Sequence, residues 1–432
     1  MRTQRSVWAG LVAGALLGWA LVLSGAGAAE AAQKASIRYW DFIDPKAPNP
    51  RGRGLAQILE NFKKRHPEVE VTVEIIPWSQ LEMLTIQAAA AGKTADVIRM
   101  QLPLLGQAVE AGAVLALDRY TGALGKEFRD DFIVDWNGTA WNGKKMAIPY
   151  EHRAGVLYYR EDILQKLGLG VPKTMDDLIK AGKVLADNNL GGFVVGLSRN
   201  EQAFAFLEWF IPMLWSAGGE LLTPDGKAAF NSPAGVQAAE LVSDLINKHK
   251  AMPRAALNYA YEAVFQGVKA GTIALNSLGT HRAVAARDAG QLQGKLKTAP
   301  MPGLRRDKPA PPHVVGWALA MGKDTKAPDA AWSFIEHMVS TESQVINARV
   351  AGELPARKSA FNDPWFKSPE AAEMNLWKDY IYQHGRVQRY RGSPVELWQG
   401  MADAVAEVVI RGRSAKEALD EAATKYNALL GK

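Results

Sequence analysis

The chain of 432 residues contains no cysteine. That absence excludes a disulfide framework, a thiolate nucleophile and a thiolate metal site, and with them the acylated cysteine that anchors a bacterial lipoprotein. Past the amino-terminal segment, no apolar run reaches the roughly 20 residues that a membrane-crossing helix needs. Charge is modest: 22% of residues are charged and the formal net charge is +6. A nucleic-acid surface would call for a dense basic stripe with interleaved aromatics, and none is present. Arg305, Arg306 and Lys308 stand with Asp307 beside a proline-rich stretch and read as a solvated loop.

Enzyme signatures are missing as well. There is no Gly-x-Ser-x-Gly nucleophile motif. Gly92-Lys93-Thr94 resembles the end of a phosphate-binding loop, but the position five before Gly92 is Gln87, and Gln87 to Ala91 reads as helix. The seven histidines are scattered without a pair at i, i+4, so neither a metal nor a cofactor is expected. Asp130/Asp131 and Asp176/Asp177 could suggest glycosidase acids, but adjacent residues point apart, and Asp176/Asp177 suit a helix start, where acids favour the dipole. The expectation is a protein without catalysis.

What is present begins with a leader. Arg2 and Arg5 precede the apolar run Val7 to Val22, and small residues follow from Ser24 to Ala32 with Ala-x-Ala options. This pattern predicts a signal peptide over residues 1–29, cleaved on export to the periplasm and leaving no lipid anchor. Loss of Arg2 and Arg5 takes the formal charge from +6 to +4. A processed chain of about 400 residues exceeds the usual size of one core, so two lobes are expected.

The periodicity predicts α/β structure. Ile37 to Trp40 reads as a strand, Asp44 to Gly54 as a loop, and Leu55, Ile58, Leu59 and Phe62 mark one face of a helix. Val69, Val71, Val73 and Ile75 alternate with Glu70, Thr72 and Glu74, the period of a half-buried strand. A helix over Gln80 to Ala91 and a strand over Asp96 to Ile98 follow, and the alternation continues, with strands at Val156 to Tyr159, Val194 to Leu197, Thr272 to Asn276 and Val314 to Ala320. Mainly parallel sheets are the natural reading. Boundaries are expected at Pro149-Tyr150, in Gly303 to Pro312 and in Pro355 to Pro364.

Open parallel sheets place their ligand crevice beyond the carboxyl ends of strands. Trp40-Asp41, Pro77-Trp78 and Arg99-Met100 fall at three such ends. A sugar offers an apolar face of C–H groups and a rim of hydroxyls, and so calls for flat aromatics beside fixed charges. The 13 tryptophans, less Trp8 and Trp19 in the leader, supply the first.

The segment from Trp141-Asn142-Gly143 to Pro149-Tyr150, then Val156 to Asp162, Gly191 onward, Ala217-Gly218-Gly219, Phe265 to Asn276 and Gly352 to Arg357, resembles in order and spacing the family 1 extracellular solute-binding proteins. These are the maltose-binding-protein-like receptors of ABC importers. The resemblance implies a type II periplasmic binding protein fold, with two lobes of mainly parallel sheet flanked by helices and a hinge between them. Its lobes would comprise residues 34–149 with 314–362, and 150–313 with 363–432. It implies a monomer that closes on a carbohydrate-like small molecule and is recognised by ABC permease transmembrane subunits.

Carried over by position, the ligand set is Trp40, Asp41, Trp78 and Arg99 from the first lobe, Glu151 and Arg153 after the crossing, and Glu208 with Trp209 before Ala217-Gly218-Gly219. Asn276, Trp317, Glu353, Arg357 and the stacking aromatic Trp398 complete it. The chain departs from the family where Gly279-Thr280-His281 follows a strand that often leads into an aromatic, and where Arg99 stands near an aromatic position. These departures argue against maltodextrin and leave room for a smaller or anionic solute, such as a uronate or a phosphorylated glycerol. An exported carbohydrate-active enzyme is the remaining alternative.

Overall fold

A computed structural model describes residues 34–133, 139–306, 308–390, 392 and 394–430. The leader over 1–29 and Asp307 lie outside the described residues. No described helix is long and apolar enough to cross a membrane.

The strands are β1 (Ala35–Asp41), β2 (Val69–Ile75), β3 (Val97–Gln101), β4 (Ala140–Trp141), β5 (Lys144–Lys145) and β6 (Ile148–Arg153). They continue as β7 (Gly155–Arg160), β8 (Phe193–Val194), β9 (Leu275–Gly279), β10 (Leu296–Ala299), β11 (Val315–Met321) and β12 (Leu354–Pro355). Two larger sheets form, in the orders β12-β6-β11-β3-β1-β2 and β10-β7-β9-β8. Ala154 alone separates β6 of the first sheet from β7 of the second. The point Pro149-Tyr150, read from the sequence as a boundary, falls inside β6.

The mainly parallel expectation describes strand direction but not neighbour pairing. In the first sheet β1 pairs in parallel with β2 and β3, whereas β11 pairs antiparallel with both β3 and β6. In the second, β9 is parallel to β8, but β7 is antiparallel to β9 and β10. The exceptions follow from the crossings: β7 enters its sheet directly from β6, and β11 enters after the return from the second sheet, without the helical crossover that makes neighbours parallel.

The first sheet is buried on both faces. Ile37, Tyr39, Phe62 and Phe334 pack on one side, and Ile98, Met100, Leu105 and Trp317 on the other. The helix Pro50–Arg65 covers the first of these faces; it starts earlier than the loop expectation because Asn49 accepts from Gly52 N at 2.9 Å and Pro50 occupies the first helical position. In the second core the helix Phe204–Ser216 is buried at every residue, in keeping with a sequence that is apolar on every face apart from Glu208 and the terminal Ser216. Two glycines allow close approaches near the crossing. A Cβ on Gly155 would stand 2.4 Å from the Glu208 carbonyl oxygen, and one on Gly316, at φ +154°, would stand 2.1 Å from that of Glu151.

Candidate functional site

Between the two sheets lies a cavity of about 430 Å3. The first sheet's side contributes Phe42 just past β1, Arg51 in the first turn of its helix, Trp78 past β2 and Trp317 in β11. Facing them are Phe204, Tyr261, Phe265, His281 and Arg282, with Arg153, the last residue of β6, at the crossing.

Behind the first wall is a buried ion cluster centred on Arg99. The sequence places this residue at a strand end. The strand instead continues to Gln101 and lies between β1 and β11, so Arg99 is 0% exposed. One guanidinium nitrogen is 3.4 Å from Asp41 Oδ2, and the other is 3.0 Å from Glu151 Oε2 and 3.3 Å from Glu353 Oε2. Its plane lies over Phe42, Tyr150 and Trp317 at 4.7, 4.9 and 5.4 Å. Arg51 approaches Glu353 at 2.7 Å.

Burial opposes the Arg99 charge, but Asp41, Glu151 and Glu353 outweigh it and raise its pKa further. Burial, then repulsion from Glu353, pushes the Glu151 carboxyl up to about 8. For Glu353, burial is overcome by Arg51 and Arg99, which hold its pKa down to about 2. Glu151 and Glu353 thus share this site against two guanidiniums, and their mutual repulsion favours a proton on Glu151.

Across the cavity, Arg153 Nε stands 3.8 Å from Glu208 Oε1, and its Nη1 is 3.5 Å from His281 Nε2. Burial raises the Glu208 pKa. Burial, then Arg153, drives that of His281 well below the usual histidine value, so the ring is neutral. At the rim, Glu201, Gln202 and Ala203 take successive left-handed conformations at φ 50°, 59° and 55°, a strained run for non-glycine residues. The turn places Gln202 across the cleft, where its Nε2 donates to Ser79 O at 3.1 Å and its Oε1 accepts from Gln101 Nε2 at 3.2 Å. Gln101 N in turn donates to Glu82 Oε1 at 2.8 Å, and burial pushes the Glu82 carboxyl up to about 7.

The candidate residues therefore separate into three groups. Trp78, Arg153 and Trp317 line the cavity. Asp41, Arg99, Glu151 and Glu353 form the cluster behind one wall, and Glu208 backs Arg153. Trp40, Trp209, Asn276, Arg357 and Trp398 do not line it. Trp40 packs in the same core as Trp317 but stops short of the cavity, donating from Nε1 to Glu74 Oε2 at 2.6 Å. Trp209 is core, with its ring 6.3 Å from that of Phe193. Asn276 is interior to its strand, which runs Leu275–Gly279 rather than ending at 276. Arg357 is held by Asp131 at 2.6 Å, over the Phe128 ring. Trp398 is fully buried between Phe204 and Tyr390, with ring centroids at 5.5 and 5.2 Å. It supports the wall from behind.

Sequence reasoning missed Phe42, Arg51, Phe204, Tyr261, Phe265 and Arg282. Phe42 follows Trp40-Asp41 directly and could have been included on that ground. The others come from helical segments that only the packing of the two sheets brings together.

The bacterial extracellular solute-binding protein family matches residues 46–345. The chain belongs to that family. This solute-binding protein is 30% identical over 230 residues to an ABC transporter-binding protein of Deinococcus radiodurans, an alignment covering 51% of this chain and 53% of the other. It is 26% identical over 227 residues to a binding protein of Brucella abortus, covering 52% and 54%. The chain thus spans about half the length of the curated relatives it matches.

Among solved structures, maltose-bound MalE3 of T. maritima superposes with a TM-score of 0.79 at 25% identity, over 91% of this chain and 100% of that one. The GacH receptor of Streptomyces glaucescens, solved unliganded and with acarbose, gives 0.79 at 22%, over 92% and 99%. An ABC transporter solute-binding protein of Thermotoga lettingae, bound with α-D-tagatose, gives 0.79 at 20%, over 92% and 100%. The solute-binding protein has their two-lobed α/β fold. Its family and these neighbours are binding proteins rather than enzymes.

Proposed function

We propose that the protein is the solute receptor of an ABC importer, working outside the cytoplasm and taking a sugar or sugar derivative into the cavity between its lobes. The observation that carries this reading is the cavity itself, whose two walls lie on the sides of different sheets and combine aromatic rings with the Arg51, Arg153 and Arg282 guanidiniums and the Glu262 carboxyl. A hydroxyl both donates and accepts, so paired Arg and Glu side chains suit it better than either charge alone. The relatives support the same reading, since their bound solutes are maltose, acarbose and tagatose.

The lobes would meet at β6–β7 and at the returns before β11 and after β12, which makes these segments the hinge. Closure about it would exclude water, strengthen each polar contact and present permease subunits with a shape that reports occupancy. The receptor would act as a monomer, without nucleic acid as partner. An anionic solute is less favoured than a neutral one. Arg51, Arg153 and Arg282 face Glu353, Glu208 and Glu262 respectively, leaving none of the three without an acid.

A thermal-shift screen against neutral sugars, uronates, phosphorylated polyols and amino acids tests the proposal. A true ligand at 100 times its Kd adds about 2.7 kcal/mol of stability. Stabilisation by carbohydrates alone is the expected result. Stabilisation by non-carbohydrates alone overturns the sugar assignment, and glycoside turnover abolished by substituting a cavity carboxylate overturns the receptor assignment.

A further inference from the structure

Six aromatic residues line the cavity, and they differ in what already covers their rings. Phe204, Tyr261, Phe265 and Trp317 are buried. Phe42 and Trp78 are half-buried and have ring surface left to offer. Phe42 is nevertheless engaged, with Trp317 at 4.5 Å between centroids and the Arg51 and Arg99 guanidiniums at 4.9 and 4.7 Å. Cations also lie over the buried rings: Arg153 over Phe204 at 5.3 Å and Arg282 over Phe265 at 4.4 Å. Displacing such a cation forfeits the ring attraction, about 0.5–2 kcal/mol, and disturbs the acid paired with it.

Trp78 stands apart. Its ring has no cation over it among the described residues, and its aromatic contact is the edge-to-face approach of Phe204 at 5.8 Å. The indole carries the largest apolar face of any side chain, the surface that stacks best against the C–H side of a pyranose. The cavity of about 430 Å3 also lies toward the small end of ligand sites, which run from about 300 to 1,000 Å3. An extended oligosaccharide needs a row of open platforms, and here four of the six rings are buried and a fifth, Phe42, is engaged by Trp317 and two guanidiniums.

We propose that Trp78 is the single stacking platform of this cavity and that the site is thereby restricted to mono- and disaccharides, with one pyranose face held on the indole. This rests on the sugar-receptor reading above. The polar groups opposite would then fix hydroxyls of that same ring, and the covered aromatics would act as walls.

The test is calorimetric titration of the parent protein, Trp78→Ala and Trp78→Phe with mono-, di- and tetrasaccharides of glucose, galactose, mannose and xylose. The parent is expected to bind at least one mono- or disaccharide and to bind its tetrasaccharide about tenfold more weakly or not at all. Trp78→Ala should lose about tenfold in affinity, and Trp78→Phe should recover part of that loss by restoring a smaller ring. Melting curves of both variants verify that they are folded, and the Phe variant carries the test if the Ala variant is not. A tetrasaccharide that binds as tightly as the disaccharide overturns the proposal and leaves the receptor reading standing. So does a folded Trp78 variant with parental affinity. If no saccharide binds the parent, the sugar assignment falls with it.

Discussion

Replacing Arg99 by methionine keeps an unbranched apolar stem and removes the guanidinium with its charge, leaving Asp41, Glu151 and Glu353 enclosed with Arg51 as the remaining cation in contact. At an effective dielectric of about 20, one ion contact at roughly 3.4 Å is worth about 5 kcal/mol before desolvation is counted. Desolvation of the guanidinium cancels most of that gain, and removing one member of a buried pair costs about 3–5 kcal/mol overall, because the partner charge stays behind. Loss of the three ring contacts places the expected cost near the top of that range. With an unfolding entropy of about 2.1 cal/mol/K per residue over about 400 residues, roughly 0.8 kcal/mol/K, the melting temperature should fall by about 5 °C. The assay is calorimetry on parent and variant at about pH 5, 7 and 8. Protonation can neutralise the carboxyls that have lost their cation, so the deficit should shrink toward the acid end and grow toward the alkaline end. A variant within about 1 °C of the parent at pH 7, or a deficit that does not shrink on acidification, refutes the view of Arg99 as the counter-charge of this cluster.

The parent's own pH profile follows from three buried acids. Glu82 and Glu151 have folded pKa values raised to about 7 and about 8, so above the unfolded value of about 4.5 the unfolded chain ionises first. Stability should therefore decline from about pH 4.5 to about pH 8, and Glu82→Gln and Glu151→Gln should each flatten the decline; a melting temperature that climbs over this window contradicts the assignment. Glu353 acts the other way, its stabilisation being lost as pH falls from about 4.5 to about 2. Trp398→Ala should cost about 3–5 kcal/mol of stability, as a large core truncation does, while the folded fraction keeps more of its ligand affinity than Trp78→Ala does. Equal affinity losses by titration would place Trp398 in the cavity after all. Gln202→Ala removes the side chain that reaches Ser79 and Gln101, so small-angle scattering without ligand should report a larger radius of gyration than the parent's. An unchanged radius would show that these contacts do not hold the lobes together.

Which lines of the sequence reading survived depends on how local their physics was. The alternation from Val69 to Ile75 became β2, and Asp176 and Asp177 do stand in the first turn of a helix, where Asp177 closes a reciprocal cap with Thr174, because side-chain periodicity and helix-end electrostatics act within a few residues. Trp40-Asp41 does end a strand, yet neither residue lines the cavity, because Trp40 is held by Glu74 on the neighbouring strand and Asp41 by Arg99. Arg99 and Asn276 were expected at strand ends and lie inside strands, because pairing with neighbours distant in sequence extended β3 and shifted β9. Trp209 and Trp398 resembled ligand aromatics and are core, a distinction invisible in residue type because the same indole serves packing and stacking.

The sequence by itself determined the α/β class and the family, because hydrophobic period, turn residues and motif order are written along one dimension. Tertiary structure alone decided which of the many aromatics keeps an open face. That depends on which guanidinium settles over which ring, and on two sheets meeting across a gap that Phe42 and Trp78 reach from one side and Phe204, Tyr261 and Phe265 from the other. Stacking needs an uncovered surface, and coverage is a property of neighbours in space.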